Sequence, residues 1–258
     1  MSMRKNKSCY IMLLNMTKLI LASASLGRKY LLDKLKLDYE TIHTNLDEEK
    51  IISDNPINTI KLRAKLKGEE ALKQITKNKQ QITNNKEQIT NNKEQITLNI
   101  KPVTYNQPPK TYNLKPITYL ILSADTEVIL DGKLFGKPSS EKEAVKMLKT
   151  LSGKTHEVVT GIYIIISNIP ASPAGRQYPI SNIETWSDYD ISRVTFRKLT
   201  DSDIKRYLKY TDYTRYTGGY ALVASPQDFV TKVEGSISNV IGLPMEKVIR
   251  ILDKYFNL

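Results

Sequence analysis

The amino-acid sequence predicts a mixed α/β fold. Short apolar runs of the kind that form strands alternate along the chain with segments that have helical periodicity and capping residues. The 258 residues are 40% hydrophobic, which is enough for a substantial core. An Asp-Gly pair between two apolar runs adds a β-hairpin to this pattern.

The first predicted unit is a strand followed by a helix. Residues 19–24 form a short apolar run that predicts a strand, and Ser25 can cap the helix that follows. The predicted apolar face of this helix consists of Tyr30, Leu31 and Leu35. Asn55 and Pro56, an N-cap followed by proline at the first helical position, predict a second helix that runs towards Ala71.

A hairpin and a third helix are predicted in the middle of the chain. The apolar runs 119–124 and 127–130 predict strands, and Asp131-Gly132 is a strong signal for a tight turn after them. Ser140 and Glu143 have the spacing of a capping box, which predicts the start of the next helix.

The last predicted elements are two strands and a helix. Residues 156–166 and 192–196 predict the strands. A helix capped at Thr200 or Asp201 follows. Its buried residues are expected to be Ile204, Tyr207 and Leu208.

Two inserts interrupt these elements. Residues 73–116 are of low complexity, and the heptad Asn-Asn-Lys-Glu-Gln-Ile-Thr occurs twice in succession over residues 84–97. Each heptad carries one apolar residue where a coiled-coil seam needs two, so the repeat favours a solvated, poorly ordered segment. Residues 168–182 contain three prolines and a glycine and predict a second loop.

Composition restricts the classes of partner. The formal net charge of +12 suggests a polyanion, but about half of it lies in the lysine-rich first insert, which has no arginine and only two aromatic residues, so a nucleic acid is not the expected partner. The single cysteine, Cys9, cannot form an internal disulfide, which favours a reducing cytoplasm. No run approaches the roughly 20 apolar residues of a membrane span.

One candidate phosphate site lies at residues 23–28, where a predicted strand passes into a helix. Backbone N–H groups and the positive end of the helix dipole collect at such a point, and Arg28 adds a charged fork. An ordinary serine cap beside a surface arginine explains the same residues.

Acidic and basic residues elsewhere form a second candidate site. Asp125 ends an apolar strand, and Lys137 follows the returning strand of the hairpin, so the two side chains can converge on one cleft for metal-bound phosphate chemistry. Glu48 lies in a short acidic run, and Lys65 lies in an amphipathic helix. Taken singly, each is more simply explained as a surface or turn residue.

These features all belong to a series of short motifs that follow one another along residues 18–72 and 117–257, apart from the second insert. The motifs include Leu-Ala-Ser-Ala-Ser-Leu-Gly-Arg (21–28), Leu-Asp-Glu-Glu (46–49), Arg-Ala-Lys (63–65), Ala-Asp-Thr-Glu-Val (124–128), Gly-Lys-Pro (136–138), Ser-Gly-Lys-Thr-His-Glu-Val (152–158), Gly-Gly-Tyr (218–220) and Glu-Gly-Ser-Ile-Ser-Asn-Val-Ile-Gly-Leu-Pro (234–244). In these motifs the chain resembles the Maf family of nucleotide pyrophosphatases.

The resemblance implies a fold, an activity and partners. The fold would be an elongated mixed β-sheet with flanking helices and two lobes around a cleft, like that of the inosine triphosphate pyrophosphatases. Residues 18–258 would form one domain after an N-terminal extension at 1–17. The activity would be hydrolysis of a nucleoside triphosphate to the monophosphate and pyrophosphate, with dTTP, UTP or modified pyrimidine triphosphates as substrates. Maf proteins are often homodimers.

The resemblance also implies roles for individual residues. The implied triphosphate clamp consists of Ser23, Arg28, Lys65 and Lys137. Glu48 and Asp125 would hold Mg²⁺ or Mn²⁺ and activate water, and Thr126 would belong to the set that selects the base. The implied catalytic residues are Asp125, Lys137, Glu48 and Lys65.

Two departures from the family pattern leave an alternative open. Leu26 and Gly27 stand where the family has Pro-Arg, and Val223 stands where it has a glutamine able to contact the base. A base edge without its hydrogen-bond partner is costly. The alternative is therefore a catalytically weak or inactive nucleotide-binding protein that acts through a cell-division or other protein partner.

Overall fold

A seven-stranded mixed β-sheet forms the centre of the protein. The computed structural model describes residues 17–97, 117–169, 181–222 and 229–258. The strands are β1 (Thr17–Leu21), β2 (Tyr39–Thr41), β3 (Ile117–Leu130), β4 (Lys133–Phe135), β5 (Thr155–Ile169), β6 (Ser181–Phe196) and β7 (Val230–Glu234). Their order in the sheet is β2-β1-β3-β5-β6-β7, and β4 pairs with the end of β3. The structure thus confirms the mixed α/β class.

Six α-helices and three short 3₁₀ helices are described around the sheet. The α-helices are α1 (Leu26–Asp33), α2 (Pro56–Thr97), α3 (Glu141–Leu151), α4 (Asp201–Tyr210), α5 (Ile237–Ile241) and α6 (Met245–Phe256). The 3₁₀ helices are Glu48–Lys50, Tyr213–Arg215 and Thr217–Gly219. Of the described helices, none is long and apolar enough to cross a membrane.

The sheet is parallel on one side of β3 and antiparallel on the other. β1 runs parallel to β2 and β3, because a helix or longer segment connects each pair. β3, β5, β6 and β7 are antiparallel neighbours. The only parallel strand next to β3 is short, and this leaves part of β3 without a neighbour on that side in the described chain.

Both faces of the sheet are covered. Side chains alternate along β1, so Leu19 and Leu21 pack with Val248 of α6, whereas Ile20 packs with Ala64 of α2 on the opposite face. A third cluster joins α3 and α4 to the far end of the sheet. It includes Val128, Leu148, Val194, Phe196 and Tyr207.

Two glycines let α2 lie unusually close to the sheet. A Cβ atom at Gly68 would stand 2.8 Å from Ser123 Oγ, and one at Gly161 would stand 3.1 Å from the backbone of Ile60. The Ser123 hydroxyl donates to the carbonyl oxygen of Ala64 at 2.7 Å. Charged side chains on this face of α2 therefore begin close to the residues of β3.

The local signals located most elements correctly. Ser25, Asn55, Ser140 and Thr200 cap their helices as expected. The Asp131-Gly132 turn has positive φ at both residues, as a type I′ hairpin requires. The α4 helix buries the three residues expected of it.

Other expectations need correction. Tyr30 is exposed rather than part of the apolar face of α1, which buries Leu31 and Leu32. The two apolar runs before the hairpin form one continuous strand, β3, and β6 begins eleven residues earlier than expected. The sequence analysis did not identify β7, α5 or α6.

The inserts also differ from expectation. The backbone of α2 continues through the repeat to Thr97, where a loop was expected from residue 73. The stretch from 69 to 101 contains no glycine or proline to end a helix. Residues 98–116 lie outside the described residues, as do 1–16 of the N-terminal extension. In the second insert, β5 and β6 reach Ile169 and Ser181, and 170–180 lie outside the described residues.

Candidate active site

The candidate site lies along β3 where its parallel neighbour ends. β1 pairs with β3 as far as Leu21 and Leu122, and β4 pairs on that side only from Val128 onwards. Among the described strands, none pairs with this side of β3 between Ser123 and Glu127. We call this stretch the open edge. Residues from both faces of the sheet border it.

On the face towards α2, two acidic residues of β3 meet two basic residues of the helix. Lys67 Nζ lies 2.7 Å from Asp125 Oδ1 and 2.9 Å from Glu48 Oε2. Arg63 Nη1 lies 2.7 Å from Glu127 Oε1. Four helical residues advance about 6 Å, and two strand residues advance about 6.6 Å. The spacing of the two basic residues therefore matches that of the two acids.

Asp125 is a buried carboxylate held in its ionised form. Burial opposes ionisation, but the charges of Lys67, Arg28 and Arg63 outweigh it and hold the pKa of Asp125 below its usual value. Asp125 Oδ2 is buried and has no hydrogen-bond partner, and Arg63 Nη1 is 4.0 Å away. A buried carboxylate oxygen of this kind is available to a water or a cation.

Glu127 is the second buried acid of this face. Burial, together with the nearby charge of Asp125, raises the pKa of Glu127 to about 7. Its Oε2 contacts the hydroxyl of Thr217, which also lies 2.6 Å from the carbonyl oxygen of Phe135. A hydroxyl donates only one proton. Both contacts are satisfied when Glu127 is protonated, in agreement with its raised pKa.

On the opposite face, Arg28 is buried among uncharged partners. Its Nε donates to the carbonyl oxygen of Gly242 at 2.8 Å, and its Nη1 donates to Ser23 Oγ at 3.0 Å. Its Nη2 donates to Thr126 Oγ1, also at 3.0 Å, and Thr126 contacts Thr160. These three bonds use three of the five guanidinium donors and fix the fork in one orientation.

Most of the residues expected in the site border the open edge. Those that the structure brings together are Ser23, Arg28, Glu48, Asp125 and Thr126. Lys137 is exposed and follows β4 at the far end of the open edge. A Cβ atom at its neighbour Gly136 would be 4.0 Å from Glu127 Oε2.

Lys65 is not part of this cluster. It is exposed, and its Nζ lies 3.8 Å from Glu69 Oε1 on the surface of α2. Two residues correspond to a rotation of roughly 200° around a helix, so Lys65 points away from the side that carries Lys67. Lys67, and not Lys65, is the lysine of α2 that lies beside Asp125.

Four residues of the cluster were missed by sequence reasoning: Arg63, Lys67, Glu127 and Thr217. For three of them a signal was present. Arg63 and Lys67 are four residues apart on a helix, and Glu127 is two residues from Asp125 on a strand, so each pair shares a face. Nothing comparable marks Thr217.

The unusual Gly27 has a packing explanation. A Cβ atom there would stand 2.8 Å from the carbonyl oxygen of Ile241, at the end of α5. An arginine at this position would require α1 and α5 to separate. The other departure, Val223, lies outside the described residues.

The acidic residues fit a divalent cation that binds together with substrate. Asp125 offers a buried oxygen without a partner, and the side chain of Glu48 is one-third exposed beside it. Mg²⁺ commonly takes one or two protein carboxylates and completes its shell with water and phosphate oxygens. In the described part of the chain, no group of three or more His, Cys, Asp or Glu residues forms a preformed metal centre.

Comparison with known proteins gives one consistent family. A dTTP/UTP pyrophosphatase from Treponema denticola is 29% identical over 246 residues, which cover 93% of this chain and 97% of the relative. One from Alkaliphilus metalliredigens is 28% identical over 243 residues, covering 94% and 98%. One from Pyrococcus furiosus is 38% identical over 133 residues, covering 52% and 62%. The profile of the Maf-like protein family matches residues 18–255, and the chain therefore belongs to that family.

Proposed function

We propose that this protein hydrolyses nucleoside triphosphates to the monophosphate and pyrophosphate, with dTTP and UTP as the first candidate substrates. The observation that carries the proposal is the buried, ionised Asp125 at the open edge, with one free oxygen and cations beside it. Relatives over nearly the whole chain carry the name dTTP/UTP pyrophosphatase. The arrangement suits a reaction in which negative charge develops on phosphate oxygens.

Asp125 is the proposed base. Water attacks the α-phosphorus, a bond forms from the water oxygen, and the bond from phosphorus to the bridging oxygen of the leaving pyrophosphate breaks. The proton of the water passes to Asp125 Oδ2. Lys67 keeps Asp125 ionised at neutral pH and holds it at the open edge. Glu48 and Asp125 would hold Mg²⁺ or Mn²⁺, which supplies positive charge to the triphosphate.

The proposed triphosphate clamp contains Ser23, Arg28 and Lys137, and Lys67 replaces Lys65 in it. Arg28 has two N–H donors outside its three hydrogen bonds, and its fork is already oriented. Ser23 adjoins the first turn of α1, where backbone N–H groups favour an anion. Lys137 approaches from the opposite end of the open edge.

Further features implied by the family resemblance belong to the same proposal. They are two lobes around a substrate cleft, the inosine triphosphate pyrophosphatase-like architecture, a homodimer and a cytoplasmic location. The role of Thr126 in selecting a pyrimidine base is also proposed. Its hydroxyl accepts a hydrogen bond from Arg28, a residue of the proposed clamp, and also contacts Thr160.

The decisive experiment measures the products formed from each common and modified nucleoside triphosphate with Mg²⁺ or Mn²⁺. We expect pyrophosphate and the monophosphate, and a loss of about 100-fold or more in Asp125→Asn. Lys65→Ala is the matched control and should stay active. Equal turnover in Asp125→Asn, or release of orthophosphate and a diphosphate, would overturn the proposal. Nucleotide binding without turnover would instead favour the alternative of a binding protein.

A further inference from the structure

A chain of polar contacts crosses β3 and ends at the backbone just before Lys137. Arg63 of α2 holds Oε1 of Glu127, and Oε2 of Glu127 contacts the hydroxyl of Thr217. The same hydroxyl contacts the carbonyl oxygen of Phe135 at 2.6 Å. The contacts therefore link a helix, the central strand, a 3₁₀ segment and the end of β4.

A second link fixes the next residue. The backbone N–H of Gly218 donates to the carbonyl oxygen of Gly136 at 2.9 Å. Gly218 has φ of +68°, and a Cβ atom there would stand 2.9 Å from Val128 Cγ2, so the segment lies directly on β3. On its other side Phe135 pairs with Val128. The backbone on the N-terminal side of Lys137 is thus held from two directions.

The side chain of Lys137 has no comparable support. It is exposed, whereas Pro138 after it is buried and Gly136 before it is hydrogen-bonded. A long flexible side chain loses up to about 2 kcal/mol of rotamer entropy when it is immobilised. Fixing the backbone from which it starts limits the volume that its ammonium group can search.

The cost of the polar chain indicates a purpose beyond packing. Arg63 and Glu127 are 8% and 7% exposed. Burying a guanidinium and a carboxyl group away from water is expensive even when the carboxyl is protonated, and apolar residues of similar size often stabilise a fold at least as well. Asp125, the neighbouring acid on this face, already has its own partner in Lys67, so the pair of Arg63 and Glu127 is not needed to hold Asp125.

We propose that Glu127 and Thr217 are positioning residues for Lys137. They hold the backbone at Phe135 and Gly136 so that the ammonium group of Lys137 meets the triphosphate at the open edge. The inference rests on the proposed function, because it requires a triphosphate for Lys137 to bind.

A double-mutant cycle between Thr217 and Lys137 tests the inference. Thr217→Val removes the hydroxyl at nearly constant volume, and Thr217→Ser keeps it. We expect Thr217→Val to lower kcat/KM about 10-fold and Thr217→Ser to restore most of it. In the Lys137→Ala background, Thr217→Val should cause little further loss. A full additional loss in the double variant would overturn the inference.

Stability measurements separate positioning from misfolding. Thermal unfolding of each variant reports the loss of structure. The matched control is Thr214→Val, at an exposed residue of the preceding 3₁₀ helix, three residues before Thr217. If Thr217→Val does not fold, Glu127→Met supplies the same cycle with Lys137→Ala, because it removes the carboxyl group that contacts the Thr217 hydroxyl while keeping a side chain of similar length. Additivity in that cycle also counts against the inference.

The same double-mutant cycle can be measured without turnover. Calorimetry gives the affinity of each variant for inorganic tripolyphosphate. Hydrolysis by the wild type with an additive cycle would refute the positioning role and leave the proposed function intact. Binding with a non-additive cycle, but no hydrolysis, would refute the proposed function and support the positioning role. Absence of both binding and hydrolysis would refute both.

Discussion

The two faces of β3 at the open edge are built on different chemistry. The acidic face, Asp125 and Glu127, pairs with charged groups of α2. On the other face, which we call the hydroxyl face, the Arg28 guanidinium donates to the hydroxyls of Ser23 and Thr126 and to the carbonyl oxygen of Gly242. Because successive residues of a strand point to opposite faces, adjacent positions carry these separate environments. Two ion-paired acids and a hydroxyl that contacts Arg28 thus lie on opposite faces of the same three-residue stretch, 125–127.

The difference also concerns energy. Breaking a buried ion pair by removing one partner leaves a charge in a poor solvent and costs about 3–5 kcal/mol. Removing a hydroxyl from a hydrogen bond costs about 1 kcal/mol. Substitutions on the acidic face should therefore change stability and activity more than those on the hydroxyl face.

The sharpest way to break this comparison is Lys67→Met. The substitution leaves Asp125 buried without its principal cation, so we expect the free energy of unfolding to fall by about 3–5 kcal/mol. Turnover should fall about 100-fold, because a smaller fraction of Asp125 is in the ionised form that accepts a proton and because the proposed clamp loses a cation. Urea unfolding and pyrophosphate release measure the two effects. Lys65→Met on the exposed side of α2 should change stability by less than about 0.5 kcal/mol. Equal effects of the two substitutions would show that the acidic face does not depend on its ion pair.

That pair of lysines marks the limit of what the sequence could predict. Helix caps and the hairpin depend on a few adjacent residues, so the positions of Ser25 and the Asp131-Gly132 turn were predictable. Asp125 was expected at the end of a strand and instead lies within β3. Choosing between Lys65 and Lys67 requires the rotational setting of α2 against the sheet. That setting depends on Gly68 and the other close contacts of the helix, which are tertiary.

The remaining differences have the same origin. The contact between Thr217 and Glu127 joins residues 90 positions apart, and no local pattern marks it. Gly27 reads as the loss of an arginine until its approach to Ile241 is known. The polar composition of the repeat favours a solvated segment, whereas its lack of glycine and proline allows α2 to continue to Thr97.

The pH dependence of stability also involves a buried group outside the acidic face, His156. Burial lowers the pKa of His156 to about 4, whereas a histidine in an unfolded chain titrates near 6.5. Between these values the unfolded chain binds more protons, so stability present above pH 6.5 is lost as the pH falls towards 4. The loss should reach at most about 3 kcal/mol. The contribution of Asp125, whose pKa is already lowered, is lost only at still lower pH. Glu127, whose pKa is raised to about 7, titrates in the same window with the opposite sign, because the folded chain then binds the extra proton. The effect of His156 is therefore the difference between the wild type and a variant without this histidine.

His156→Gln should therefore lower the slope of stability against pH between about 4 and 6.5 and leave the slope below pH 4 unchanged. Its other effect, on the bond between His156 Nε2 and the Tyr220 hydroxyl, shifts the whole curve rather than its slope. Urea unfolding at several pH values measures both the slope of the stability curve and its overall shift. His43→Gln, at the other histidine, which is exposed, is the matched control. An unchanged slope above pH 4 in His156→Gln would contradict this account.

Arg28→Lys tests whether the hydroxyl face needs a fork or only a charge. Lysine keeps the positive charge but cannot donate at once to Gly242, Ser23 and Thr126, so we expect a loss of about 1–3 kcal/mol in stability. KM for the triphosphate should rise about 10-fold, with a smaller change in kcat. Arg215→Lys, on an exposed 3₁₀ helix, should change neither quantity. Retention of wild-type stability and KM by Arg28→Lys would mean that the fork is unnecessary.

The smallest expected effect decides what Thr126 does. Thr126→Val removes the hydroxyl that accepts from Arg28 and contacts Thr160, which should cost about 1 kcal/mol, roughly a 5-fold change in an equilibrium constant. If Thr126 acts only by holding Arg28, kcat/KM should fall by the same factor for every triphosphate. If it also selects the base, the ratio of dTTP to purine triphosphate turnover should change. Thr126→Ser keeps the hydroxyl and should preserve the ratio of dTTP to purine triphosphate turnover in both cases. A change of this ratio in Thr126→Val but not in Thr126→Ser would assign base selection to the hydroxyl.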